Sequence, residues 1–328
     1  MAKRATRGSN DSQLLAALKG VSPLMRPEGS ILQQHVLLKD HWAVAYDGMM
    51  AIGEPIIEDL FCAPNALMLR NALANCGQQF SISQNQHTLS VHSGKFKAII
   101  PCISPNDIGS TSPDPVCARI DDVFKLSMAA IAPIAIDETN VVKASILVDK
   151  GSITSTDGKI IIQHWHGIDL PPRLVLPKSL IGPVVKSGVS LSGFGFSGRS
   201  ATLHFENRSW IKTAYFAEDW PDIDRILNQP CSAHPVPEDL FTAIKALESF
   251  SETGWVYSDS NMLRSHEGNG KGATHDVYGM PANVALNIKQ MKIIEPLIKT
   301  VDFLVEGHNS KMMLWFGDKV RGAVAGRR

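Results

Sequence analysis

"TSTDGKII", Thr154 to Ile161, sets polar residues and an Asp-Gly pair ahead of a run of apolar β-formers. Glycine adopts φ > 0 without a steric penalty, so Asp-Gly directly after a strand reads as a tight turn between antiparallel strands. A catalytic role for Asp157 would require a second titratable partner. Tyr46-Asp47-Gly48 falls where Thr156-Asp157-Gly158 falls, and Ser258-Asp259-Ser260-Asn261 is expected to fall there again, so that the aspartate recurs at one point of a repeated unit, just after a strand. The three together point to an internal repeat of long period, which has to be recognised before any fold is assigned.

Working outward, two stretches dense in turn formers read as connectors, Pro101 to Ala118 and Asn228 to Asp239. They divide the chain into modules at 1–113, 114–230 and 231–328. Each module repeats one order of signals. An amphipathic helix opens it ("DSQLLAALKG", "IDDVFKLSMAAI", "PEDLFTAIKALESF"), and strands follow ("ILQQHVLLKDHWAVAYDGMMAI", "KASILVDKGSITSTDGKIIIQHW", "GWVYSDSNMLRSH"). A second helix comes next ("APNALMLRNALANC", "LPKSLIGPVVKSG", "LNIKQMKIIEPLIKT"), and further strands close the module. Ser12, Asp121 or Asp122, and Glu238 or Asp239 are expected to cap or charge the first turns of the opening helices. Pro183 and Pro296 fall inside the second helices, so those helices are kinked or short. The fold class is α+β, with three helix-and-antiparallel-sheet modules.

Composition limits the function. With 328 residues, 44% hydrophobic and 20% charged, the chain is of ordinary globular type. It has no apolar run of the roughly 18 residues a membrane span needs. The start lacks the apolar core of a secretory signal. Five cysteines, far apart and without CxxC, are expected as buried thiols in a reducing cytoplasm. The 32 basic and 32 acidic residues balance, which argues against tight nucleic-acid binding over the whole surface but allows a local basic stripe.

Four segments in order carry a resemblance. "SPLMRPEGSILQQHVLL", "TSTDGKIII", "LVLPKSLIGPVV" and "SWIKTAYFAEDWPDIDRIL" resemble segments of the bacterial sliding clamp, the beta subunit of DNA polymerase III. The resemblance runs over nearly the whole chain. It implies three clamp modules per chain, two chains joined head to tail as a homodimeric ring, helices lining the hole and sheets outside. It implies a bacterial or bacteriophage processivity factor without catalytic activity or cofactor. Its partners would be double-stranded DNA, held without sequence preference, a replicative polymerase and a clamp loader.

A clamp's hole needs weak positive charge, since phosphate attraction retains the duplex while strong contacts would brake sliding. At 100° per residue, Lys289, Lys292 and Lys299 share one stripe opposite Met291, Ile294 and Ile298. Lys19, Arg70, Lys125, Lys178, Lys186 and Lys245 could serve alike on the other helices; the plainer alternative for each is a solvated face. The resemblance implies two sharper DNA contacts, Arg26 before Pro27 and Lys178 at the start of a second helix. The tyrosines common in the family before the middle strands are Asn140 and Val141 here.

The resemblance also implies an apolar pocket for partner peptides, at Val142, Thr156, Gly158, Lys159, Ile160, Ile161, Pro221, Arg225, Ile226 and the C-terminal Val324. Apolar walls with a few orienting polar groups suit such a role. The family's "DGHR" is "DGKI" here and its C-terminal "MPMRL" is "AVAGRR", so an altered peptide preference is expected.

Two other signals compete. "GFGFSG", Gly193 to Gly198, matches the dinucleotide pattern G-x-G-x-x-G, but the strand-like "RSATLHFEN" follows where a helix is required, so it reads as a glycine-rich hairpin. His164, His166 and Asp169 could hold a metal in a hydrolase, the alternative function. No nucleophile elbow, Walker loop or cysteine-based catalytic signature is present.

Overall fold

The computed structural model describes residues 4–8, 13–77, 79–85, 87–109, 111–268, 271–306, 309–310 and 312–327. Two compact units are present: Met1–Lys125 with Gly182–Tyr215, and Leu126–Ile181 with Phe216–Arg328. No helix among the described residues is long and apolar enough to cross a membrane.

In the first unit, Leu37–Lys39, Trp42–Tyr46 and Met50–Pro55 form a meander that continues through Trp210–Ala214, Ser200–Phe205, Leu191–Phe196 and Val116–Ala118 as a seven-stranded antiparallel sheet. In the second, Leu174–Pro177, Ser145–Asp149, Ser152–Thr156 and Ile160–Trp165 continue through Val320–Ala325, Met312–Gly317, Thr300–Asp302 and His234–Pro235 as an eight-stranded sheet. Each sheet thus joins the early strands of one sequence module to the late strands of the next. The seams are the pairs Met50–Gly53 with Thr213–Trp210 and Ile160–His164 with Val324–Val320.

Two smaller sheets share these strand orders but stop where the seam would be. The five-stranded sheet of the first unit runs Arg4–Gly8, Phe80–Gln84, Thr88–Ser93, Phe96–Ile103, Ala63–Pro64. Among the described residues, its Phe96–Ile103 strand is met on the side away from Thr88–Ser93 only at its C-terminal end, where Pro101 O accepts from Asn65 N and Cys102 and Ile103 pair with Pro64 and Ala63. The four-stranded sheet of the second unit runs Thr274–Asp276, Met262–Arg264, Trp255–Ser258, Ala285–Asn287. Thr274–Asp276 is its edge among the described residues.

The Asp-Gly turns are built alike. Asp47 N donates to Met50 O at 3.1 Å, and Asp157 N donates to Ile160 O at 3.4 Å. Asp47 Oδ1 accepts from the N–H groups of Met49 and Met50, and Asp157 Oδ1 from those of Lys159 and Ile160. Gly48 and Gly158 sit at φ +103° and +87°. Both aspartates are turn formers.

The third correspondence is displaced by one hairpin. Ser260 and Asn261 both have positive φ, 38° and 63°, between the paired residues Ser258 and Leu263. That matches the Asp40-His41 turn, at φ 51° and 63°, which closes the first hairpin of the meander rather than the second. By sheet order, the second hairpin of the third module lies between Met262–Arg264 and Thr274–Asp276. Asp259 and Asp157 therefore occupy different turns. A two-residue loop with two positive φ values accepts Asn, Asp or Ser as well as Gly, so the strings look alike while the turns differ.

Opening helices span Gln13–Gly20, Asp122–Ile131 and Leu240–Glu248. The expected cap Ser12 lies outside the described residues. Asp121 Oδ1 accepts from Val123 N at 2.9 Å, whereas Asp239, at the N-cap, makes no side-chain cap bond. Second helices are Ala66–Ala74, Ile181–Lys186 and Ile288–Ile294. The last ends before Pro296, and Pro183 falls in a first turn, where no N–H is required. "ILQQ", expected as strand, is a helical turn because Ser30 and Gln33 form a capping box.

Each unit has an apolar cluster, one around Leu37, Val44, Ile108 and Trp210, the other around Leu147, Trp220, Ile223 and Leu314. "GFGFSG" is part of the hairpin Leu191–Phe196 to Ser200–Phe205, as its alternation implies. Cys62 and Cys76 are buried, but Cys117 and Cys231 are exposed, against expectation.

Candidate peptide pocket and basic residues

Three local devices shape one cavity of about 370 Å³ in the second unit. The turn Val141–Ala144 is capped by Asn140, whose side chain accepts from Lys143 N. The Asp157 turn follows, with Thr156 Oγ1 donating to Ile160 O at 2.7 Å and accepting from Gly158 N at 2.9 Å. The loop at Pro221 is fixed by buried Trp220, whose Nε1 donates to Ser145 Oγ at 2.9 Å and whose carbonyl accepts from Arg173.

The cavity brings together Val142, Thr156, Gly158, Lys159, Ile161, Pro221 and Ile226. Three residues expected there are absent from its lining. Ile160 is 0% exposed and Val324 2%, and they are cross-strand partners facing the core. Their neighbours Ile161 and Ala323, also partners, face the cavity. Side chains alternate between faces along a strand, so one residue decides between wall and core. Arg225 is exposed beside the cavity without lining it.

Asn140, Lys143, Ile223, Met312, Ala323 and Ala325 complete the lining. Strand alternation could have found the two alanines, and Ile223 lies one helical turn from Ile226. Ala325 N donates to Lys159 O at 2.7 Å, which fixes the C-terminal strand along the opening. The walls are largely aliphatic. Lys143 and Lys159 add positive charge, with Lys143 paired to Asp137 at 3.3 Å. An extended apolar segment with an acidic group fits this arrangement. A Cβ on Gly158 would stand 3.1 Å from Lys143 Cε in a left-handed conformation, so glycine is required where the two walls approach.

The basic residues divide into three groups. Arg26 and Arg70 line one small cavity in the first unit, and Lys186, Lys289 and Lys19 are exposed. Others are engaged: Lys292 with Glu248 and Lys299 with Asp318, both at 2.5 Å, Lys245 with Glu295 at 2.6 Å, and Lys125 with Ser187 Oγ and Val189 O. Lys299 lies beyond the end of its helix, so the three-lysine stripe is reduced to Lys289 and Lys292.

Lys178 corrects the sequence reading outright. It is 3% exposed, and its Nζ is occupied by three backbone carbonyls, so it presents no charge to a phosphate.

The metal reading also fails in geometry. His164 Nδ1 is bonded to Ser127 Oγ at 2.8 Å, His166 Nδ1 accepts from Ile168 N, and exposed Asp169 pairs with Lys150. No metal-capable cluster of three such groups occurs among the described residues. Burial and, next, the Lys319 charge lower the pKa of His164 below the usual imidazole value.

The fold as a whole recurs in solved structures. The chain has the fold of the bacterial sliding clamps. It is similar to the DNA polymerase sliding clamp from Caulobacter crescentus at 15% identity, over 99% of both chains, with a TM-score of 0.80. It is similar to the Helicobacter pylori beta clamp bound to a DNA ligase peptide at 15% identity, over 99% of this chain and 100% of that one, with a TM-score of 0.79. A third is the sliding clamp from Pseudomonas aeruginosa bound to griselimycin, at 13% identity over 99% of both chains and a TM-score of 0.77. No family model matches the sequence, and no curated protein does.

Proposed function

We propose that the protein is a non-catalytic processivity factor. Two copies, each of modules 1–113, 114–230 and 231–328, close head to tail around duplex DNA in the cell interior, helices inward and sheets outward. The replicative polymerase and clamp loader would dock through short peptides in the cavity at Ile161, Pro221 and Ile226. The peptide-bound Helicobacter pylori clamp supports that use.

The observation that carries this reading is the pair of unfinished sheets. Early strands of the first module join late strands of the second, and early strands of the second join late strands of the third. The late strands of the first, ending at Phe96–Ile103, and the early strands of the third, ending at Thr274–Asp276, have no such partner among the described residues. A second copy supplies both missing seams, and a head-to-tail interface of this kind closes a ring. Lys97 on one edge and Asp276 on the other are both exposed and of opposite charge. Unpaired edges are otherwise a liability for aggregation.

Retention on DNA tests this. Loaded by a clamp loader onto nicked circles, the protein should remain bound and should slide off once the circle is cut; equal retention on both forms would refute enclosure. Direct affinity for a short duplex should be weak, with Kd on the order of 10⁻⁴–10⁻⁶ M, and should fall as salt rises. Arg26 and Arg70 should carry more of that salt dependence than the paired Lys292 and Lys299, a difference measurable by titrating alanine variants.

A further inference from the structure

Lys178 lies behind the pocket rather than in it. Its Nζ donates to Lys143 O at 2.7 Å, Thr156 O at 3.0 Å and Ala135 O at 3.2 Å. An ammonium has three N–H groups, and each is aimed at a carbonyl from a different segment. Two of those segments are pocket walls, since Lys143 and Thr156 both line the cavity. Thr156 in turn holds Gly158 N and Ile160 O through its hydroxyl, so its position sets that of the whole turn. Burying a charge is costly unless it is fully hydrogen-bonded, and an apolar side chain here would leave three carbonyls short of a donor.

We propose that Lys178 is a positioning residue of the peptide pocket: its ammonium ties the Val141–Ala144 wall to the Thr156–Lys159 wall and fixes the width between them. The inference rests on reading the cavity as the peptide pocket.

Protonation gives it a distinctive signature. Burial lowers the pKa of Lys178 to about 8, opposed by the Asp157 carboxylate. The other charges on the neighbouring walls are Lys159 and the Lys143–Asp137 ion pair. A neutral amine has two N–H groups for three carbonyls, so the tie loosens as pH rises through about 8.

The test uses the full chain, wild type and Lys178→Met, with griselimycin as the probe. The variant should bind about tenfold more weakly, as expected for the loss of one or two net hydrogen bonds. Wild-type affinity should decline from about pH 7 to about 9.5, while the variant's should stay flat. Hydrogen exchange should quicken in the variant at Ala144 and Gly158–Ile160 and remain unchanged in Met312–Gly317. Equal affinity and exchange, or the same pH profile in both proteins, would overturn the proposal. If wild type does not bind griselimycin, the pocket reading falls, and the exchange comparison still decides whether Lys178 positions these walls. If the variant does not fold, wild-type protection at the same amides decides, and no loss between the two pH values overturns the proposal.

Discussion

Replacing Ile99 with proline should leave the chain folded but monomeric, and should abolish retention on circular DNA. Cys102 N donates to His87 O at 2.8 Å, and Pro101 O accepts from Asn65 N on the opposite side. Backbone groups alternate in direction along an antiparallel strand. Residues 97, 99 and 101 therefore point away from Thr88–Ser93, and Pro101 already stands at one such position without an N–H. Ile99 is 56% exposed, so its side chain supports little core. Proline there removes an edge donor while sparing the intrachain ladder, which is where proline is tolerated in sheets. Losing one donor and adding a ring clash should cost about 1–2 kcal/mol per seam. A closed ring of two copies has two seams, so dimer affinity should fall about 30- to 1000-fold. Ala98→Pro is the control: its N–H points inward, so it should lower Tm instead. Sedimentation across a concentration series reads both, and a dimeric, DNA-retained Ile99→Pro protein would rule out this edge as the seam.

Much of this fold is legible in the string because its signals are local. Period-3.6 and period-2 patterns mark the helices and strands, and Asp-Gly fixes two turns through φ > 0 and an aspartate side chain folded onto two N–H groups. What is not legible depends on distance. Ser258 to Asn261 resembles an Asp-Gly turn in composition, yet it closes a different hairpin, because sheet order is set by contacts far along the chain. Whether Ile160 or Ile161 faces the cavity depends on which face the Val320–Ala325 strand covers. Lys178 is the sharpest case. A lysine after Pro177 at the start of a helix looks solvated, and only the convergence of Ala135, Lys143 and Thr156 around its ammonium makes it an interior residue. Paired charges such as Lys292–Glu248, 44 residues apart, are equally invisible in sequence.

Pro221→Ala combined with Ile226→Ala should weaken pocket binding about 10- to 100-fold while leaving dimerisation and DNA retention intact. Both residues line the cavity, and Ile226 also packs on the cluster of Trp220, Ile223 and Leu227. Truncation removes aliphatic surface that a ligand would bury at about 25 cal/mol per Å², and together the two changes amount to about 1.5–3 kcal/mol of binding. The fold should tolerate the pair. Pro221 is exposed, and its replacement acts chiefly by loosening the loop, which Trp220 still anchors through Ser145 and Arg173. Ile226 is only half-buried, so a small fall in Tm is expected. Neither residue lies on the Phe96–Ile103 or Thr274–Asp276 edge, which separates this result from that of Ile99→Pro. Griselimycin titration of the double variant gives the affinity, and sedimentation gives the assembly. Undiminished affinity would move the binding surface elsewhere on the molecule, and loss of the dimer would mean that pocket and seam are not independent.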